Sequence, residues 1–555
     1  MDVDRTNDSG ASLASSRYQR GDILADWDKA IDLGDYGKSN RNWLGMHINP
    51  AVFLPTAFIS LVVIIFSLVA PQASADFFSA LRSGAVANFD WFFMSAGNVL
   101  LLFCVIVALS PLGNIRLGGK GSKPDYSRLS WFAMLFGAGM GIGLVFYGVG
   151  EPVTHFTTSM AGGSGAPLGG ATGDAAASRG LAMAATIFDW GLHPWAIFTV
   201  TGLALAVFTF DYKMPLSMRS AFYPLFGKAV WGRAGDVIEI LAVLATIFGL
   251  ATSLGLGAQQ AMAGISYLFG VASSSTTILM LIAVMAAVTF LSVRGGIDRG
   301  IRILSEVNMW VAFALLVFVL STGSTLQLLG DLGRNIVTYL SLLPALSNPV
   351  GRTDTGFYND WSVYYWAWWI SWAPFVGMFM ARISLGRTVR EFIAGAMIAP
   401  TLLGIIWLTI FGDASIAHIV AGNGAELTKA SLDTQLFVLL ASLPWAQFTS
   451  VVAIALILIF FVTGWDSGTL VIDTMTSGGR TDTPLRQKTI WLFVVGGIGI
   501  VLLLSGGLTS LQAGAIATGL PLAGVLLLMC AGTLKGLLAL HRLPAQSGAI
   551  ETLDG

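Results

Sequence analysis

The stretch Trp361-Ser-Val-Tyr-Tyr-Trp-Ala-Trp-Trp-Ile-Ser-Trp-Ala-Pro-Phe-Val-Gly-Met-Phe379, running on into Ala381-Arg-Ile-Ser-Leu-Gly-Arg-Thr-Val-Arg390, places five of the chain's 17 tryptophans within twelve residues. Helical spacing gathers Tyr365, Trp368, Trp369, Trp372, Phe375 and Phe379 on one broad face. Pro374 removes a backbone donor in mid-segment, so the helix is expected to loosen there, with Gly377 adding to the interruption. Isolated aromatics in a membrane helix usually mark the lipid interface. A cluster this dense at mid-segment depth points instead to a wall of π-faces beside freed backbone dipoles, suited to a bulky organic cation.

Composition sets the environment. Of 555 residues, 55% are apolar and 11% charged, with a mean hydropathy of +0.74; soluble domains carry roughly 25% charged residues, so the chain is an integral membrane protein. The net charge of −1 says little about partners, and no nucleic acid is expected. Cys104 and Cys530 both sit in apolar runs and give neither a disulfide framework nor zinc spacing. Residues 1–48 hold eight acidic and six basic side chains without a signal-peptide core and read as a cytoplasmic tail.

Twelve apolar runs fit membrane spans: 49–71, 89–110, 130–150, 183–208, 237–257, 276–293, 305–322, 361–381, 394–412, 445–464, 489–505 and 510–534. The shorter, mixed stretch 325–345 reads as an amphipathic helix on the membrane surface. With the N-terminus inside, all but five of the thirty lysines and arginines fall on cytoplasmic segments, the exceptions being Arg82, Arg179, Arg334, Arg352 and Lys429. That bias repeats at every alternate loop and places both termini inside.

The third run contains Gly137-Ala-Gly-Met-Gly-Ile-Gly143, four glycines in seven residues, and is expected to unwind at mid-membrane. Glycine packing between helices is the ordinary explanation of such a stretch. Here, however, the third span runs outward and the eighth inward, so spans 3–7 and 8–12 fit as inverted copies. Broken helices at matching positions of two halves point to a transporter's central site. Span 4 adds Phe188-Asp-Trp-Gly-Leu-His-Pro-Trp-Ala-Ile-Phe198, where Trp190, Trp195 and Phe198 line one side of a helix distorted by Pro194. Together with span 8 they make a box for a methylated ammonium or sulfonium head, each cation–π contact contributing roughly 0.5–2 kcal/mol when desolvated. Asp189 is ionisable within an apolar run and carries a possible proton or charge role. Unwound N–H groups from Gly139 to Gly143, including Met140 and Gly141, suit the carboxylate of a zwitterion. The five histidines show no metal-ligand spacing, so no enzyme is expected; a membrane sensor is the alternative outside transport.

Gly139-Met-Gly-Ile-Gly143 with Phe146-Tyr-Gly148, Trp190-Gly-Leu-His-Pro-Trp195, and Trp366-Ala-Trp-Trp-Ile-Ser-Trp-Ala-Pro-Phe-Val-Gly377 with Ala381-Arg-Ile-Ser-Leu-Gly-Arg-Thr-Val-Arg-Glu-Phe392 resemble the betaine/choline/carnitine transporter family. The resemblance implies an all-α, twelve-span protein of the bacterial cytoplasmic (inner) membrane with a LeuT-like 5+5 inverted repeat. Its parts are the 1–48 tail, two extra helices (49–110), a first repeat (130–322), the surface helix (325–345), a second repeat (361–534) and a short 535–555 tail. It implies secondary transport by alternating access, a small zwitterionic substrate and a homotrimer whose contacts fall near 325–345. The substrate residues it maps are Trp190, Trp195, Phe198, Trp368, Trp369, Trp372, Met140, Gly141 and Gly143. Glycine at 143, where choline-selective members tend to have aspartate, favours glycine betaine or dimethylsulfoniopropionate.

The resemblance also implies sodium as coupling ion and no other cofactor. One sodium set maps to Gly137, Met140, Phe460, Thr463 and Gly464, the usual hydroxyl being absent at Gly464; a second maps to Thr246 and Phe375, with Leu250 in place of a threonine. Val307-Asn-Met309 lacks the arginine of sodium-independent exchangers. Proton coupling through Asp189 or Asp466, or exchange of choline or carnitine, is the rival reading. Lys535 and Arg542 are the only basic residues of the short C-terminal tail, so little osmotic activation is expected.

Overall fold

The computed structural model describes residues 40–542 except 140, 296 and 297. Met140 and most of the expected 1–48 and 535–555 tails therefore lie outside the described residues. Strands β1 (Arg41–Trp43) and β2 (Met46–Ile48) pair antiparallel, Trp43 opposite Met46. Leu44 and Gly45, at φ 51° and 71°, make the tight turn whose backbone twist matches the flanking strands. The His47 N–H donates to Gln487 Oε1 at 2.9 Å, and Arg486 donates to the Leu44 carbonyl at 2.9 Å. The end of the expected N-terminal tail is thus docked on the body, because Met46 and Ile48 are apolar and buried.

Helices carry the rest. Asn49 caps α1 (Pro50–Val69), its side chain accepting from Ala51 N–H, with Pro50 at a position whose N–H would have no helical partner. Next come α2 (Pro71–Leu109), α3 (Arg128–Gly139), α4 (Ile142–Ala161), α5 (Ala175–Trp190) and α6 (Leu192–Ala206). The first half closes with α7 (Arg233–Phe269), α8 (Ser275–Gly295) and α9 (Asp298–Thr322), then α10 (Thr325–Leu346). The remainder holds α11 (Tyr364–Arg382), α12 (Val389–Leu408), α13 (Ala446–Thr476) and α14 (Leu485–Arg542). The backbone of α14 leaves helical geometry at Gly506 and Gly507, the latter at φ 65°, between the two apolar runs expected there.

Among the described residues, nine helices are long and apolar enough to cross a membrane. The expected third and eighth spans are not among them. The third is divided by the glycine break, which leaves Arg128–Gly139 only 12 residues long; in the eighth, the tryptophans and tyrosines lower the hydropathy. Burial separates centre from rim: 94% of the apolar window in 175–211 and 83% of that in α7 lie inside the protein, against 22% for α8 and 17% for 304–322.

The third run breaks where expected, α3 ending at Gly139 and α4 starting at Ile142, with Gly141 outside both helical and extended geometry at φ −147°, ψ −127°. Two other expectations are corrected. Span 4 is distorted at Gly191 rather than Pro194, which sits within the first turn of α6 where its missing N–H has no helical acceptor to lose. Span 8 runs unbroken through Pro374 and Gly377; its irregularity is a π-helical segment, Tyr358–Val363, before α11. Gly377 serves packing instead. A Cβ there would stand 2.7 Å from Thr201 Cβ and 3.1 Å from Gly202 N, so α6 and α11 cross with their backbones nearly touching.

The helix α10 is amphipathic, but its polar face turns inward. Arg179 pairs with Asp331 at 2.5 Å and Asp413 at 2.6 Å, and Asn335 donates to Asp413 at 2.6 Å. Tyr339 accepts from the Leu192 N–H at 3.2 Å, serving the gap between α5 and α6. Leu326, Leu329, Val337 and Leu340 face outward.

Candidate functional site

The break between α5 and α6 leaves Trp190 at the end of one helix and Trp195 and Phe198 on the next. All three are buried against α11. The Trp190 ring meets Trp369 edge-on at 4.9 Å, and Phe198 meets Trp369 at 6.0 Å and Trp195 at 5.6 Å. On α11 itself, Trp368 and Trp369 stack at 4.8 Å and 20°. The rings of Trp190, Trp195, Phe198, Trp368 and Trp369 therefore form one continuous set, in the offset and edge arrangements that aromatic quadrupoles favour.

Hydrogen bonds fix these rings. The Trp369 Nε1–H donates to the Asp189 carbonyl at 2.9 Å and the Trp368 Nε1–H to the Gly249 carbonyl at 3.4 Å. The Trp190 Nε1–H donates to Glu151 Oε2 at 2.9 Å, and the Tyr365 hydroxyl to the same oxygen at 2.5 Å. The sequence reading did not single out Glu151. The rule applied to Asp189, an ionisable residue inside an apolar run, finds it equally in Gly148-Val-Gly-Glu-Pro152.

Gly143 lies at the edge of the ring set. A Cβ there would stand 2.7 Å from Trp368 Cη2 and 2.8 Å from Trp190 Cη2. Only a hydrogen fits between the two indoles, so the first turn of α4 approaches them closely. That turn's N–H groups have no partners within the helix, which suits an anionic group next to the rings. Gly141 sits over α13, with Phe460 Cδ1 3.7 Å from its virtual Cβ.

Trp372 is placed apart from the ring set. It packs edge-on against Phe375 at 5.3 Å and lines a small cavity with Thr246, Leu250, Phe375 and Gly468. The members of the second expected sodium set, Thr246 and Phe375, thus share one cavity with it. The Thr246 hydroxyl donates back to the Ala242 carbonyl at 2.8 Å, leaving lone pairs for a cation. Leu250 and Gly468 add no side-chain oxygen.

For the first sodium set, the Gly141–Phe460 contact brings the glycine break against α13. Thr463 donates to the Ile459 carbonyl at 2.9 Å. Gly137 and Gly464 have nothing within 4 Å of a virtual Cβ. These residues fit a hard cation only if backbone carbonyls supply most ligands.

Asp189 is fully buried, and among the described residues only the Ser362 hydroxyl meets its carboxylate. It lies with Glu151 and His155 in one group whose ligand atoms are within 4.8 Å of one another.

A model of a family described as betaine/carnitine/choline transporters matches residues 51–542. A glycine betaine/proline/choline transporter of Vibrio parahaemolyticus is 46% identical over 511 residues, covering 91% of this chain and 92% of its own. The same organism's glycine betaine transporter 1 is 46% identical over 516 residues, 92% of this chain and 98% of its own. A glycine betaine transporter of Acinetobacter baylyi is 40% identical over 495 residues, 88% of this chain and 74% of its own.

Proposed function

This chain belongs to the betaine/carnitine/choline transporter family, and we propose on that premise that it imports a betaine-type zwitterion. It is a multi-pass membrane transporter and not an enzyme. Glycine betaine or a close quaternary ammonium or sulfonium compound is the substrate. The names of its relatives support that class, and the ring set of Trp190, Trp195, Phe198, Trp368 and Trp369 carries the reading. A trimethylammonium head lies against these π-faces while its carboxylate takes N–H groups at the start of α4. Met140, Gly141 and Gly143 belong to that second half, and Trp372 lines the approach from the Thr246–Phe375 cavity.

Uptake is sodium symport by alternating access through two five-helix inverted repeats, spans 3–7 and 8–12, with two extra helices in front. The protein is placed in the bacterial inner membrane with both termini cytoplasmic. Sodium is cargo here, taken at Thr246 and Phe375 and at Gly137, Met140, Phe460, Thr463 and Gly464. Each co-transported charge adds about 2.3 kcal/mol per 100 mV of driving force. The outward apolar face of α10 supports a homotrimer.

Reconstituted protein with an imposed sodium gradient is expected to accumulate labelled glycine betaine. Accumulation under a proton gradient alone would reassign the coupling ion, and no uptake of any betaine-like solute under either gradient would overturn the proposal. Trp369→Ala, which removes the ring shared by Trp190 and Phe198, is expected to abolish measurable betaine binding in a calorimetric titration.

A further inference from the structure

Three ionisable side chains lie directly behind the ring set. Glu151 and His155 are one turn apart on α4, and Asp189 ends the neighbouring α5; all three are 0% exposed. Their ligand atoms lie within 4.8 Å of one another, with His155 Nε2 3.5 Å from Glu151 Oε1. Glu151 Oε2 accepts from Trp190 and Tyr365, but among the described residues Glu151 Oε1 and both His155 nitrogens make no hydrogen bond, and the Asp189 carboxylate is met only by the Ser362 hydroxyl.

Other groups face this cluster from each packed element. They are Tyr147 on α4, the hydroxyls of Ser362 before α11 and of Tyr364 and Tyr365 on it, and the distant charge of Arg352. Arg352 is held by Asp354 at 2.8 Å and lies over Tyr358, so it does not neutralise the pair. His155 is gripped edge-on by Trp361 at 4.7 Å and Phe357 at 5.1 Å.

Two buried carboxylates within reach of one another do not both stay ionised without a cation between them. A proton shared by the carboxylate pair serves as that cation, with the His155 imidazole 3.5 Å from Glu151 Oε1 beside it. We propose that Glu151, His155 and Asp189 form a proton-binding site linked to the aromatic box, so that a cationic head entering the box expels a proton to solvent.

The link has two parts. The head's positive charge repels the proton across the Trp190 indole, whose Nε1–H edge meets Glu151. The Glu151 carboxylate, once ionised, is also the stronger acceptor for Trp190 Nε1–H and Tyr365 O–H, and so holds the box in its binding geometry. By reciprocity, if betaine expels the proton, removing the proton tightens betaine binding. Affinity therefore rises with pH, whichever ion drives uptake. The inference rests on the aromatic-box reading.

The test uses the full-length protein in detergent with glycine betaine as probe. Its dissociation constant is measured by tryptophan fluorescence from about pH 5 to 8, on both sides of neutrality. Calorimetry in buffers of different ionisation enthalpy counts the protons released. The expected result is affinity rising toward the one-proton limit of about tenfold per pH unit, with proton release to match. Asp189→Asn is expected to flatten the pH profile while betaine still binds, and Glu151→Gln, whose amide oxygen still accepts from Trp190 and Tyr365, to remove the pH dependence from the weaker binding that remains.

Wild-type protein that binds betaine with a pH-independent constant and releases no proton overturns the proposal and leaves the box intact. Affinity that responds to chelator or added Zn²⁺ rather than to pH assigns the cluster to a metal and overturns it equally. Absence of betaine binding at every pH removes the box reading and the proposal with it.

Discussion

At the scale of single residues, the site is governed by which positions carry no side chain and which carry no oxygen. Gly143 has a hydrogen where any Cβ would press on both Trp190 and Trp368 at 2.7–2.8 Å. Neither indole yields easily, because the Trp190 nitrogen is tied to Glu151 and the Trp368 nitrogen to Gly249. Gly143→Ala is therefore expected to spread the rings and weaken betaine binding by roughly tenfold or more, about 1.4 kcal/mol, measured by calorimetry on protein that still elutes as one species. Leu250 gives the complementary case. It stands in the cavity with Thr246 and Phe375 and offers a methyl where a cation wants oxygen. Leu250→Thr is expected to lower the sodium concentration for half-maximal uptake; an unchanged sodium dependence would remove this cavity from the list of ion sites.

At the scale of elements, what matters is where helices stop and how closely they cross. The glycine run of the third span was legible because four glycines in seven residues cannot hold a stable helix without packing support, and the backbone does break there. Pro374 was misleading. A proline breaks a helix when the freed carbonyl lacks another role, yet α11 is wedged among α6, α7 and α14 and stays helical through it. The same wedge explains Gly377, whose virtual Cβ meets the α6 backbone at Gly202 N. Gly377→Leu is expected to cost about 1–3 kcal/mol or more through overpacking. A lowered thermal midpoint in detergent would register it, together with loss of uptake, since the wall of tryptophans hangs on the α6–α11 contact.

For the whole molecule, burial separates a centre from a rim, and α10 is tied to that centre. Arg179 on α5 bridges Asp331 of α10 and Asp413 beyond α12, both carboxylates being almost fully buried. Arg179→Gln leaves buried Asp413 short of its cation, while Asp331 keeps Arg334 at 2.9 Å, and is expected to destabilise the protein by about 3 kcal/mol, seen as a fall in thermal midpoint that mutation of exposed Lys429 does not reproduce. By itself the sequence determined the membrane environment, the positions of the apolar runs, the glycine break and the gathering of tryptophans on one face of the eighth run. These follow from composition and from the 3.6-residue period, which assigns faces within a single helix. Only the tertiary structure decided which faces meet. Glu151 reaches Trp190 across 39 residues and Tyr365 across 214, Trp372 turns to the Thr246 cavity rather than the rings, and the polar face of α10 points inward. Such contacts depend on the close packing of helices distant in sequence, and no local period records them.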